Sequence, residues 1–270
     1  MKTFFNVDDL EISDKSFFLI AGPCVIEEEG LTREIASEAK KITSELGIPF
    51  IFKASFDKAN RSSIRSPRGP GIEKGLPVLE RIRADLQLPV LSDIHEPWQA
   101  EAAARVLSII QIPAFLSRQT DLLQAAARTG LPLNIKKSQM MSPADIILAV
   151  NKAAEAGGHR VMLTERGTFF GYNNLVVDFR SIPRMKESGC PVVMDATHAV
   201  QRPSGAGEIS GGDPQFIPML AAAGIVAGAD GVFLEIHPRP EKALSDGTNS
   251  LPLKELRPLL IRLQKLYNVR

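Results

Sequence analysis

Disulfide-forming capacity is nearly absent from this chain: its 270 residues include two cysteines, Cys24 and Cys190. That scarcity argues against a secreted disulfide framework and for a reducing compartment. Excess charge of either sign is missing too, with 32 Lys plus Arg against 31 Asp plus Glu. No global basic field exists to attract nucleic acid or an anionic membrane, so no partner of either kind is expected, and any anion binding must be local. Long hydrophobic runs are also lacking; none approaches the roughly 20 residues needed to span a bilayer. Nor does the N-terminus carry a basic segment followed by an apolar core and a small-residue cleavage site, so a cytoplasmic protein is expected. Low-complexity tracts and repeats of short fixed period are absent as well.

What the chain does have is hydrophobic content of 44% against 23% charged, enough to bury a full core. The length suits one barrel better than two domains, so residues 1–270 are expected to form a single domain. Apolar, strand-like runs alternate with helical stretches throughout, and almost every run ends in a residue capable of chemistry. Residues 17–24 end in Cys24, 49–53 in Lys53, 89–93 in Asp93, 108–111 in Gln111, 132–136 in Lys136 and 160–166 in Arg166. Residues 192–195 are followed closely by His198, and 232–235 close the series with Glu235 and His237. Strands buried on both faces are continuously apolar, and reactive groups at their C-terminal ends are what a (β/α)8 barrel presents to a substrate. The fold expected is therefore an α/β TIM barrel, and the chain an enzyme with one composite site.

Two short alternating segments around Asp8 and Asp9 predict an N-terminal β-hairpin within residues 1–16, placed to plug the bottom of the barrel. Helices are predicted over 31–46, 74–86, 97–106, 119–129, 143–156, 214–227 and 253–266, with a weaker one over 182–188. Residues 57–71 and 201–213 are too long and Gly-rich for simple turns, and both are expected to be substrate-binding loops or lids.

The first of these loops, with Lys53 before it, holds Lys58, Asn60, Arg61, Ser62, Ser63, Arg65 and Arg68. Such a cluster suits a phosphorylated or carboxylated ligand, because charge-assisted hydrogen bonds to oxyanions are the strong ones. A solvated basic loop would look the same in composition. Lys53 differs, because an unpaired ammonium at the end of an apolar strand is costly. Arg118, Lys136, Lys137 and Arg166 add cations from other strand ends, implying more than one anionic group in the ligands. Cys24, His198, Glu235 and Asp246 come from strands one, seven and eight and their loops, which are neighbours in a closed barrel. They could meet around one divalent cation, although Cys24 taken singly fits a small core residue and Glu235 a partner for an arginine.

Longer motifs carry a resemblance. KASFDKANRSS (53–63), QIPAFLSRQTDLL (111–123), TERGTFFGYNNLVVDFR (164–180), DATHAVQ (195–201) and EIHPRPEKALSD (235–246) resemble the 3-deoxy-D-manno-octulosonate 8-phosphate synthase family. The resemblance runs from about residue 17 to the last helix. It implies condensation of phosphoenolpyruvate with D-arabinose 5-phosphate and water, in the pathway to the inner core of lipopolysaccharide. Related 3-deoxy-7-phosphoheptulonate synthases use erythrose 4-phosphate and carry a KPRTSP-type loop where this chain has KANRSS. They are the nearest alternative.

The family divides into metal-dependent members with cysteine on the first strand and metal-independent ones with asparagine. AGPCVIE therefore implies a divalent metal (iron, zinc or manganese) on Cys24, His198, Glu235 and Asp246. Lys53, Lys58, Lys136 and Arg166 are implied to hold phosphoenolpyruvate, with Gln111 and the backbone near Ala114. Asn60, Arg61 and Ser62 are implied to hold the sugar phosphate, with Arg118 in the anion-binding set and Asp93 near the substrates. Metal ligands and Lys53 together form the implied catalytic group, and a homotetramer is implied as the assembly. A Schiff-base aldolase using Lys53 or Lys136 and a non-enzymatic sugar-phosphate sensor are the readings from other classes.

Overall fold

Alternation along each strand builds the molecule in two cores. In the computed structural model, which describes residues 4–13, 15, 17–61, 63–169, 174–206 and 209–270, Phe17, Leu19 and Ala21 join the outer core beneath the helices. Phe18 and Ile20 turn the other way, into a second apolar cluster with Ile51, Leu91, Ile109, Met162, Val193 and Phe233. Successive strand residues face opposite sides of the sheet, so both faces are apolar here and each strand is buried throughout.

Eight parallel strands close the barrel: β3 (Phe18–Gly22), β4 (Phe50–Lys53), β5 (Val90–Asp93), β6 (Ile109–Ile112), β7 (Leu133–Lys136), β8 (Val161–Glu165), β11 (Val192–Asp195) and β14 (Gly231–His237). Pairing of β14 with both β3 and β11 completes the ring. Cys24 lies two residues past the end of β3, and β14 runs on through His237, beyond the expected Glu235.

The hairpin pairs β1 (Phe5–Val7) with β2 (Leu10–Ile12). Asp8 takes a left-handed backbone (φ 50°) at its turn, which aspartate tolerates better than most residues. Phe5, Val7 and Ile12 belong to the inner apolar cluster, so the hairpin covers one end of the barrel interior. Arg83 Nη2 (2.9 Å) and the Ser108 hydroxyl (2.5 Å) both donate to the Asp8 carboxylate and hold it there. Residues 1–3, 14 and 16 of the expected 1–16 extension lie outside the described set.

Around the barrel stand α1 (Glu29–Leu46), α2 (Ile72–Leu86), α3 (Gln99–Ala104), α4 (Thr120–Arg128), α5 (Ile146–Glu155), α6 (Ser181–Lys186), α7 (Ile217–Val226) and α8 (Leu256–Tyr267). Gly47 ends α1 in the left-handed conformation (φ 65°), as its position in the sequence predicts. Several boundaries are tighter than the periodicity suggests; α5 starts at Ile146 rather than residue 143, and short 3-10 turns precede α7 and α8. A short hairpin, β9 (Thr168–Phe169) with β10 (Leu175–Val176), follows β8. The expected loop at 201–213 is a hairpin too, β12 (Gln201–Ala206) with β13 (Ile209–Gly212). A two-residue strand, β15 (Leu251–Pro252), adds to β14. No described helix is long and apolar enough to cross a membrane.

Candidate active site

Polar side chains stand one alternation step above the inner apolar layer. Lys53 follows Ile51, Asp93 follows Leu91, Gln111 follows Ile109, Asp195 follows Val193 and Glu235 follows Phe233, each by two residues and thus on the same face. Thr164 Oγ1 donates to Asn134 Oδ1 (2.6 Å), and Asn134 Nδ2 donates to Gln111 Oε1 (3.1 Å), which ties three neighbouring strands together inside the barrel. Above this layer opens a cavity of about 490 Å³ lined by Lys53, Lys58, Lys136, Arg166, Asp93, Gln111, His198 and Asp246 among others. That volume is in the usual range of about 300–1,000 Å³ for small-molecule sites.

Lys53 and Glu235 form a buried ion pair (2.9 Å), each side chain about 1% exposed. Lys53 Nζ also donates to the Cys24 carbonyl (2.8 Å) and lies 5.6 Å from the Phe233 ring centroid, while Lys136 Nζ sits 4.0 Å over the same ring. An aromatic face with negative charge density helps hold both ammoniums away from bulk water. Burial opposes ionisation of Glu235, but Lys53, His198 and Lys58 outweigh it and hold the carboxyl well below its usual range. Burial likewise presses on Lys58, yet its neighbours Cys24, Glu235, Asp93 and Asp246 hold its pKa well above the ordinary lysine range. Lys136 and Arg166 go the other way: burial lowers both, with Asp195 only partly compensating.

Cys24, Glu235 and Asp246 bring one ligand atom each within 4.8 Å of one another. The Cys24 thiol lies 2.8 Å from Ser245 Oγ and donates to Asp246 Oδ2 (3.0 Å). Burial, followed by the Asp246 and Glu235 charges, pushes that thiol well above its ordinary pKa. Two carboxylates and a thiol this close fit a divalent cation, which would draw the thiol proton off and offset the carboxylate repulsion. Glu235 Oε2 is buried without a hydrogen-bond partner among the described residues, a further ligand atom for such an ion. His198 stands outside that tight set of three, but its Nε2 is 3.5 Å from Glu235 Oε1.

His198 is oriented by a residue that sequence reasoning missed. Asp195, completely buried, lies 2.7 Å from His198 Nδ1 and 2.5 Å from Lys136 Nζ, and accepts the His198 backbone N–H at 2.9 Å. Contact at Nδ1 leaves Nε2 facing Glu235, the arrangement by which carboxylates orient metal-binding imidazoles. The three-residue spacing of Asp195 and His198 at a strand end was the available signal. Gln201 and Ser245 were missed as well; both line the cavity, and both lay within quoted motifs without chemistry that singled them out.

Of the remaining expected residues, Asn60 and Arg61 line the cavity, and Arg61 donates to the carbonyls of Pro67 (2.7 Å) and Leu244 (3.3 Å). Ala114 lines it too, at the start of a 3-10 turn. Asp93 accepts from Ser55 Oγ (2.5 Å) and contacts His95 Nε2 (3.1 Å). Burial would raise Asp93, but His95 and Lys58 hold it well below the usual carboxylate range. Arg118 is exposed and does not line the cavity; its carbonyl accepts from Lys152. Ser62 lies outside the described residues.

A closed parallel barrel with lysines and an arginine buried at its C-terminal strand ends, beside a Cys/Glu/Asp cluster, defines a (β/α)8 enzyme built for small anionic ligands. The chain belongs to the DAHP synthetase I family, whose sequence profile matches residues 8–269. It is 57% identical over 259 residues to the 2-dehydro-3-deoxyphosphooctonate aldolase of Desulfotalea psychrophila, covering 96% of this chain and 92% of that one. The proteins of the same name from Syntrophotalea carbinolica and Coxiella burnetii are 55% and 50% identical, with 94% and 98% of this chain and 94% and 95% of theirs covered.

Proposed function

We propose that this chain condenses phosphoenolpyruvate with D-arabinose 5-phosphate and water, giving 3-deoxy-D-manno-octulosonate 8-phosphate and inorganic phosphate for lipopolysaccharide inner-core synthesis. The observation carrying this reading is a cavity that joins buried cations from several strand ends to Asp246, which stands in one cluster with Cys24 and Glu235. Near-full-length similarity to 2-dehydro-3-deoxyphosphooctonate aldolases supports it.

In this reading Lys53, Lys58, Lys136 and Arg166 bind the carboxylate and phosphate of phosphoenolpyruvate, with Gln111 and the Ala114 backbone closing the pocket. Asn60, Arg61 and Ser62 bind the sugar phosphate, Asp93 lies beside the substrates, and Arg118, exposed and outside the cavity of its own protomer, adds to the anion-binding set across a subunit boundary. C3 of the enol forms a bond to the sugar aldehyde carbon as the carbonyl π pair moves to the aldehyde oxygen, which takes up a proton. Water adds at C2 and gives up a proton, and the C2–O bond to phosphate then breaks, phosphate leaving with the electron pair and a proton while the C2 hydroxyl becomes the ketone. Fixed cations stabilise the negative charge along this path without reorganising, which is where preorganised sites gain most. Glu235 and Asp246 offer carboxylate oxygens to the proton that water loses. A divalent ion (iron, zinc or manganese) on Cys24, Glu235 and Asp246, with His198 completing the set, would supply Lewis acidity for the water and the aldehyde. The whole chain acts as a single barrel domain, in the cytoplasm, as a homotetramer, which light scattering would show as four times the protomer mass.

Phosphate release from phosphoenolpyruvate tests the reading, with arabinose 5-phosphate and erythrose 4-phosphate compared as acceptors. A clear preference for the five-carbon sugar is expected, lost with a chelator and restored by a divalent ion. Preference for erythrose 4-phosphate would instead make the chain a 3-deoxy-7-phosphoheptulonate synthase.

A further inference from the structure

Arg166 and Asp246 carry opposite charges into the same cavity, yet a neutral side chain stands between them. Arg166 Nη2 donates to Gln201 Oε1 at 2.6 Å, and Gln201 Nε2 donates to Asp246 Oδ1 at 3.2 Å. The other Asp246 oxygen, Oδ2, faces Cys24 Sγ at 3.0 Å. Arg166 is almost fully buried, its only other hydrogen bond among the described residues is to the His198 carbonyl (3.1 Å), and its Nε has no partner. A guanidinium so sparsely satisfied in a low-dielectric cavity would be drawn strongly to a free carboxylate. An amide is the neutral group suited to the gap, because its oxygen accepts from the cation while its nitrogen donates to the anion.

We propose that Gln201 is a positioning residue that keeps Arg166 and Asp246 from pairing directly. Direct pairing would withdraw Asp246 from the Cys24 and Glu235 cluster and neutralise Arg166 as an anion receptor. Gln201 opens β12 immediately after the 3-10 turn His198–Val200, so one short segment sets both His198 and this spacer. The inference rests on the reading of the cluster as a metal site and of Arg166 as a substrate-anion site.

The test measures divalent-ion affinity by chelator competition on the purified metal-free chain, and KM for phosphoenolpyruvate separately from kcat. Gln201→Leu, close in size but unable to bridge, is expected to weaken metal binding by roughly tenfold, the scale of outer-shell partners, and to raise KM more than it lowers kcat. Adding Arg166→Gln is expected to restore metal affinity to near the wild-type value, since no guanidinium remains to capture Asp246. Gln201→Glu is expected to raise KM by pairing with Arg166 while leaving metal affinity undiminished. Should Gln201→Leu misfold by circular dichroism, the Gln201→Glu split between KM and metal affinity decides instead. Unchanged metal affinity in folded Gln201→Leu, or a loss that Arg166→Gln does not reverse, overturns the spacer role while sparing the site reading. A wild-type chain that binds no divalent ion overturns both.

Discussion

Cys24 shows how much of a residue's chemistry comes from its neighbours. Alone it is a small buried residue two positions past a strand; beside Asp246 and Glu235 it becomes a thiol whose proton an arriving cation would displace. Asparagine lacks an ionisable sulfur, so Cys24→Asn is expected to weaken divalent-ion binding by more than the roughly 10- to 100-fold typical of outer-shell partners. Metal content after dialysis against a chelator-buffered ion series checks this; equal content in variant and wild type would remove Cys24 from the ligand set. The variant fold should hold, because the side chains are similar in size and the site lies above the apolar inner layer.

Among the elements, β3 and β4 meet too closely for any side chain at Gly22. A Cβ there would stand 1.9 Å from the Lys53 carbonyl oxygen, which is backbone and cannot swing aside. Gly22→Ala must therefore push the two strands apart, at a cost of about 1–3 kcal/mol or more. A lower urea midpoint with an unchanged slope is the expected signature, together with a raised KM for phosphoenolpyruvate, since Lys53 leads the displaced segment. A midpoint equal to the wild type would show that the strands have slack the packing does not suggest. The hairpins β9–β10 and β12–β13 belong to this scale too. Their strands are two to six residues long and Gly-rich in the second case, so composition alone marks them as loops and only pairing across the turn makes them sheet.

For the whole molecule, the acid limb of stability depends on carboxyls buried against lysines at the barrel mouth. Burial disfavours the Asp195 carboxylate, but His198 and Lys136 overcome it and hold the group far below its usual range; Glu235 is depressed by Lys53, His198 and Lys58 in the same way. Unfolded carboxyls titrate near about 4, so between that value and the depressed folded values the unfolded state binds more protons. Stability from these groups is thus full above about pH 5 and lost as pH falls below about 4. Urea titrations of the metal-free chain from pH 7 to pH 3 should show that decline, and Asp195→Asn should flatten it while lowering stability at neutral pH. An equally steep acid limb in the variant would assign the pH dependence elsewhere.

Fold class, strand order along the chain and nearly all of the cavity-lining residues that bear charge were legible in the sequence. Eight apolar runs ending in Cys, Lys, Asp, Gln, Arg or Glu fit a parallel sheet covered on both faces, and the length of the chain favours closing that sheet into a barrel. Long motifs then narrowed the chemistry. What tertiary structure alone decided is which groups face each other. A strand that is apolar on both faces carries no alternating signal, so its sequence cannot say that Lys53 points at Glu235 from 182 positions away. Nor can it show that Asp195 holds His198 and Lys136 at once, or that Gln201 lies between Arg166 and Asp246. Those facts follow from the register of parallel strands and from where the ring closes. Both depend on contacts between residues far apart in the chain, whereas composition and periodicity report only on neighbours.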